Sequence, residues 1–177
     1  MRIISGKYKS RKLFTPADDN IRPTSDRAKE TLFNILENRF SFRDAVCLDA
    51  FCGTGNLGLE CISRGAMQCC FVDTDIRLVK KNVEMLNASD KCRVIRSEAL
   101  NFLIESSDIV FDYIFCDPPY SYNMYDELTA AVFSMKTIFI LEHSGKTPLN
   151  KKYTDYLLIH KKIGTVNFSI YDFRILK

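Results

Sequence analysis

Residues 45–58 read A-V-C-L-D-A-F-C-G-T-G-N-L-G. An apolar run, A-V-C-L-D-A, has the look of a buried strand, and Gly53, Gly55 and Gly58 fit the spacing G-x-G-x-x-G directly after it. Glycines so placed allow a tight turn and let backbone N–H groups approach a ligand at the start of the following helix, here G-N-L-G-L-E-C-I-S-R at 55–64. The same alternation then repeats. C-C-F-V-D at 69–73 precedes a helical pattern at 76–86, and R-V-I-R at 93–96 precedes a short helix beginning near 98. D-Y-I-F-C at 112–116 precedes a helix around 124–134, and T-I-F-I-L-E at 137–142 is a further strand. Apolar strands alternating with helices predict an α/β fold of Rossmann-like type: a mostly parallel central sheet covered on both faces. In the tail, two β-rich runs flank Gly164, which predicts an antiparallel C-terminal hairpin closing the sheet edge.

Ahead of this unit the chain has another character. R-I-I-S-G-K-Y-K-S-R-K-L-F-T-P places short β-like runs on either side of Gly6-Lys7, as in a small hairpin or extended arm. Thr24 or Ser25 then caps a helix whose Ala28, Leu32, Ile35, Leu36 and Phe40 recur at helical spacing, with Asp26 in its first turn. Residues 1–43 carry ten Lys or Arg against five acids, whereas the whole 177-residue chain has a formal charge of only +3. A basic arm beside a near-neutral body fits a polyanion partner as well as it fits a solvated surface. The division expected is therefore a basic N-terminal extension, 1–43, and a main domain, 44–177.

With 46% hydrophobic residues, the chain is long enough for one compact core. No stretch approaches the roughly 18 consecutive apolar residues of a membrane span, and the N-terminus lacks an apolar signal core, so a soluble cytoplasmic protein is expected. Seven cysteines, an odd number without a C-x-x-C pair, fall mostly inside apolar runs. They read as buried free thiols of a reducing compartment, and a structural metal is not expected.

Asp73 lies twenty residues after Gly53, at the end of the second strand, where an acid accepts hydrogen bonds from ribose hydroxyls. This is compatible with a dinucleotide or another adenosine-bearing cofactor. Asp49 shifts the choice, because an acid just before the glycine turn repels a pyrophosphate but suits an ammonium and a sulfonium. S-adenosylmethionine carries both. Glu98-Ala99, after the third strand, stands where a methyltransferase places an acid-containing loop beside the adenine amino group; Glu98 reads equally well as a helix N-terminal acid.

Residues 117–120 are D-P-P-Y. Two prolines remove two backbone donors and fix two φ angles, so this segment continues neither a sheet nor an ordinary helix turn. An exocyclic amino nitrogen of a nucleobase is a poor nucleophile, its lone pair being delocalised into the ring. A carboxylate accepting one N–H and a proline-held carbonyl accepting the other would draw it toward tetrahedral geometry and stabilise the developing positive charge. An aromatic ring next in sequence can stack on a base taken out of its own stack. Asp117, Pro118, Pro119 and Tyr120 supply these parts in order, at the carboxyl end of a central strand.

D-P-P-Y together with R-I-I-S-G-K-Y-K-S-R-K-L, R-P-T-S-D-R-A-K-E-T-L-F-N-I-L and L-D-A-F-C-G-T-G-N-L-G-L-E makes the chain resemble the RsmD family, over nearly all residues up to about 142. That family methylates N2 of a guanine in 16S ribosomal RNA with S-adenosylmethionine. The resemblance implies a cofactor site of Asp49, Phe51, Cys52, Gly53, Thr54, Gly55, Asp73, Glu98 and Ala99, and an amino-group site of Asp117 to Tyr120. It further implies 16S rRNA as partner, within a small-subunit particle, met by a monomer. The basic residues Arg2, Lys7, Lys9, Arg11, Lys12, Arg22 and Arg27 are then the candidate phosphate contacts. The chain departs from the family's usual residues at Cys52, Asp73 and Glu98-Ala99. The alternatives are a DNA adenine-N6 methyltransferase, which 177 residues leave little room for, and a non-catalytic RNA-binding assembly factor of the same fold.

Overall fold

A computed structural model describes residues 1–16, 25–145, 147 and 149–175. Five strands alternate with helices as the sequence pattern requires. They are β1 (Val46–Ala50), β2 (Gln68–Asp73), β3 (Cys92–Arg96), β4 (Tyr113–Cys116) and β5 (Ile138–His143). The helices between them are α2 (Asn56–Ser63), α3 (Arg77–Met85), α4 (Ala99–Glu105) and α5 (Tyr125–Ser134), and α1 (Asp26–Glu37) precedes β1. A 3-10 helix, Lys151–Tyr156, leads into the hairpin β6 (Leu157–Ile163) and β7 (Val166–Asp172). The seven strands form one sheet in the order β3-β2-β1-β4-β5-β7-β6, parallel from β3 to β5, with β7 antiparallel to both β5 and β6. This is the Rossmann-like fold of class I methyltransferases. Strand order reverses between β1 and β4, whose carboxyl ends are in register at Ala50 and Cys116. The crevice of such a sheet opens at that reversal.

Strand residues alternate between two cores. Cys47, Phe71, Phe115 and Ile140 pack with α1, α2 and α3, while Leu48, Val72, Ile114 and Phe139 pack with α4 and α5. The parallel strands are buried on both faces, which is why they read as continuous apolar runs. Gly58 shows how tightly α2 sits on β2: a Cβ there would come within 2.4 Å of the Phe71 ring and 2.6 Å of the Cys69 sulfur. All seven cysteines are free thiols, six of them buried. No described helix is long and apolar enough to cross a membrane.

The N-terminal pair forms only a minimal hairpin, with one antiparallel bridge between Arg2 and Lys12. Its turn is engaged elsewhere. The N–H of Lys7 donates to the Ser63 carbonyl (2.8 Å), that of Tyr8 to the Ser63 hydroxyl (2.9 Å), and those of Ile4 and Ser5 to the Glu60 carboxylate (2.8 and 3.0 Å). Ile3 and Leu13 join the same core as α1, α2 and α3, so the extension packs into the main body. Ser25, not Thr24, is the described cap of α1, its hydroxyl accepting from the Ala28 N–H at 3.1 Å; Thr24 lies outside the described residues. α1 stops at Glu37, so Phe40 packs against the core from beyond the helix.

Candidate active site

At the carboxyl ends of β1, β2 and β4 lies a cleft of about 1140 Å³. Its lining includes Asp49, Phe51, Cys52, Gly53, Thr54, Asp73, Glu98, Ala99 and the whole of Asp117 to Tyr120. Two motifs nearly seventy residues apart in sequence thus face one cavity. The topology explains this: both follow the ends of adjacent parallel strands at the point of reversal.

The glycine loop is closed by its own backbone. Cys52 N–H donates to the Val72 carbonyl (3.1 Å) and Gly55 N–H to the Cys52 carbonyl (2.7 Å). Phe51 takes a φ of +62°, a left-handed conformation uncommon and strained for a bulky residue. Gly53 has a φ of +51°, and a Cβ on it would meet nothing within 4 Å, so this residue presents bare backbone to the cleft. Gly55 does something different. It does not line the cleft, and a Cβ on it would come within 2.7 Å of Val79 and 3.2 Å of Phe71. Its φ of +78° and that close packing account for the glycine.

Asp49 is only 2% exposed, and one carboxylate oxygen accepts the Gly58 N–H at 2.8 Å. Burial pushes its pKa up to about 8; the Gly58 bond opposes this, and Asp117 and Asp73 add to it. A buried carboxyl with two acidic neighbours is a place where a cation is welcome. Asp73 accepts from the Gly53 N–H at 2.8 Å through one oxygen and from the Asp75 N–H at 3.1 Å through the other. It therefore holds the glycine loop as well as facing the cleft. Asp75 is fastened to Arg77 by two side-chain bonds of 2.9 and 2.6 Å, which hold its pKa at about 2. Glu98 caps α4, accepting the Asn101 N–H at 2.9 Å, and lines the cleft as well; both readings of this residue are thus compatible with its position.

In the D-P-P-Y segment Asp117 is half-buried, Pro118 buried, and Tyr120 65% exposed. The Pro119 carbonyl accepts the Tyr122 N–H at 2.8 Å, closing a turn that fixes the loop. Tyr122 then packs edge-on against Phe51 with ring centroids 5.2 Å apart, so the two loops that frame the cleft touch.

Sequence reasoning did not identify several lining residues. Glu142, buried at the end of β5, carried the same signal as Asp49, an acid at the carboxyl end of a strand. Tyr122 lies two residues beyond the motif. Met1, Thr15 and Pro16 carried no signal, because only the folding-back of the arm brings them to the cleft. Asn82, fully buried on α3, secures that fold: it accepts from the Phe14 N–H (2.7 Å) and donates to the carbonyls of Phe14 (3.1 Å) and Thr54 (2.9 Å).

None of the described basic candidates lines the cleft. Arg2 pairs with Asp26 at 3.1 Å, Arg11 reaches the Met85 carbonyl at 3.4 Å, and Lys7 lies 5.1 Å from the Tyr8 ring. Lys9, Lys12 and Arg27 are exposed, and Arg22 lies outside the described residues. Lys29, part of the basic excess of the first 43 residues, is fully buried. Its ammonium donates to Asn56 (2.7 Å) and the Arg2 carbonyl (2.8 Å) and pairs with Glu60 (3.1 Å). Burial lowers its pKa, against the pull of Glu60.

The model of the family described as "Conserved hypothetical protein 95" matches residues 1–172. The "Ribosomal RNA small subunit methyltransferase D" of Haemophilus influenzae is 33% identical over 182 residues, covering 97% of this chain and 93% of that one. The chain belongs to the RsmD family. A hypothetical protein of Thermus thermophilus superposes with a TM-score of 0.82 at 28% identity, covering 97% of this family member and 99% of that chain. The methyltransferase domain of METTL16 shares the fold at 15% identity, with a TM-score of 0.69 over 91% of this chain and 89% of its own.

Proposed function

We propose that this RsmD-family protein transfers a methyl group from S-adenosylmethionine to the exocyclic N2 amino group of a guanine in small-subunit ribosomal RNA. The observation that carries the reading is the meeting of D-P-P-Y with the glycine loop and Asp49 in one cleft. The substrate class rests on the name of the Haemophilus influenzae relative and on the extent of its similarity.

The residues present fit the cofactor. Gly53 leaves backbone bare to the cleft, buried Asp49 offers an acid that a cation would return to its ionised form, and Asp73 lines the same space with the lone pairs that its bonds to Gly53 and Asp75 leave for ribose hydroxyls. S-adenosylmethionine bound there supplies an electrophilic methyl group on a positively charged sulfur. The chain's own part is to prepare the nucleophile. Asp117 accepts one N–H of the target amino group. The Pro119 carbonyl is already engaged by Tyr122, so we assign the second N–H to the carbonyl of Pro118. Together these acceptors would gather electron density at the nitrogen and stabilise its positive charge as the N–C bond forms and the sulfur–methyl bond breaks, and the surplus N–H proton would leave along the hydrogen bond to Asp117. Tyr120, largely exposed beside them, is the surface on which an extruded base stacks.

Mass spectrometry of modified nucleosides in ribosomal RNA from cells with and without the gene tests this. Loss of one N2-methylguanosine from the small-subunit RNA is expected. An unchanged small-subunit profile would overturn the assignment.

A further inference from the structure

Among the described residues, the hydroxyl of Tyr122 is the buried side-chain polar atom without a hydrogen-bond partner. Buried polar groups are nearly always paired, and an exception inside a cleft calls for an explanation. The ring is held from two sides, edge-on to Phe51 at 5.2 Å and to Tyr125 at 5.3 Å, while its backbone N–H is fixed by Pro119. Nothing about the ring is loose. Tyr122 lines the cleft together with Glu98 and Ala99, and Glu98 is the strongest charged influence on it, acting with burial to keep the phenol protonated. The hydroxyl is therefore a donor at any working pH. Tyr122, whose hydroxyl is a donor, and Glu98, a carboxylate acceptor, thus line the same cleft. A purine edge carrying a ring nitrogen next to an amino group presents the complementary pair.

We propose that Tyr122 is a cofactor-binding residue whose hydroxyl donates a hydrogen bond to a ring nitrogen of the cofactor's adenine. This rests on the reading of the cleft as an S-adenosylmethionine site and adds a residue that sets its preference for a purine. The assignment goes to the cofactor because Tyr122 turns toward Phe51 of the β1 loop and lies under the influence of Glu98 after β3.

The test is Tyr122→Phe, which keeps the ring contacts and removes one oxygen. Calorimetry with S-adenosylhomocysteine, and with 5′-methylthioadenosine, which lacks the amino-acid tail, should show affinity falling about tenfold for both. The melting temperature of the free variant should equal or exceed that of the wild type, since a buried unpaired group is removed. A residue that served only packing would not give this opposition. Unchanged affinity for both nucleosides, or a loss confined to S-adenosylhomocysteine, would overturn the adenine assignment. A rise in the RNA KM with cofactor affinity unchanged would overturn it in favour of the target base. If the wild-type protein binds neither nucleoside, the cofactor reading itself falls, which separates the two failures.

Discussion

Two acids of the cleft have separable duties. In the proposed reaction Asp117 accepts from the target amino group, so Asp117→Ala should lower methyl transfer by about 10² or more while S-adenosylhomocysteine still binds. Single-turnover kinetics beside calorimetry reads both at once, and near-normal turnover would remove Asp117 from the chemistry. Asp49 answers to pH. Its pKa in the free protein, about 8, lies above the ordinary carboxyl value, so at neutral pH the group is mostly protonated. A cationic ligand requires the ionised form. Cofactor binding near pH 7 should therefore release a proton, and affinity should rise with pH until about 8 and then level. Calorimetry in buffers of different ionisation enthalpy measures the proton; proton-neutral binding at pH 7 would place the ligand's charge elsewhere. Both acids were legible in the sequence because their signal is positional, an acid at the carboxyl end of a strand. The shift at Asp49 was not, since it comes from burial and from Asp73 and Asp117, which only the fold brings near.

The elements that hold the cleft were less evenly legible. Apolar runs and glycine turns placed every strand of the parallel sheet within a residue or two, because burial on both faces leaves little room for another pattern. The charge count of residues 1–43 included Lys29, which on α1 is turned inward, where it ties Arg2 of the arm, Asn56 at the start of α2, and Glu60 into one buried network. Charge counts carry no depth, but helical spacing does: Lys29 stands at i to Leu32, Phe33 and Leu36 at i+3, i+4 and i+7, on the buried face of α1. Lys29→Met should cost about 3–5 kcal/mol of stability by leaving those polar groups without their donor. Urea unfolding measures it. A loss below about 1 kcal/mol, the scale of an exposed pair, would mean that the network is not a joint of the arm.

At the scale of the whole molecule, the fold and most of the cleft followed from the sequence, whereas the wall formed by Met1, Thr15 and Pro16 did not. That wall depends on bonds from the arm's backbone to Ser63, Glu60 and Asn82, contacts 55 to 68 residues apart in sequence that periodicity cannot report. The arm therefore has an inner face built into the body and an outer face bearing Lys7, Lys9, Arg11 and Lys12. Changing these four to Ala should leave cofactor affinity intact and weaken binding of the RNA particle at physiological salt. The salt slope should fall by about 0.7–0.9 for each phosphate that the arm no longer neutralises. Binding that matches wild type at every salt concentration would move the RNA to another face. The most direct measurement is transfer of labelled methyl from S-adenosylmethionine by the purified protein to small-subunit particles that lack the modification, followed by nucleoside analysis. Label should appear as N2-methylguanosine at one position, at a rate lower by about 10² or more with Asp117→Ala. Label in N6-methyladenosine, or no transfer to the particle or its RNA, would contradict the proposed chemistry of the cleft.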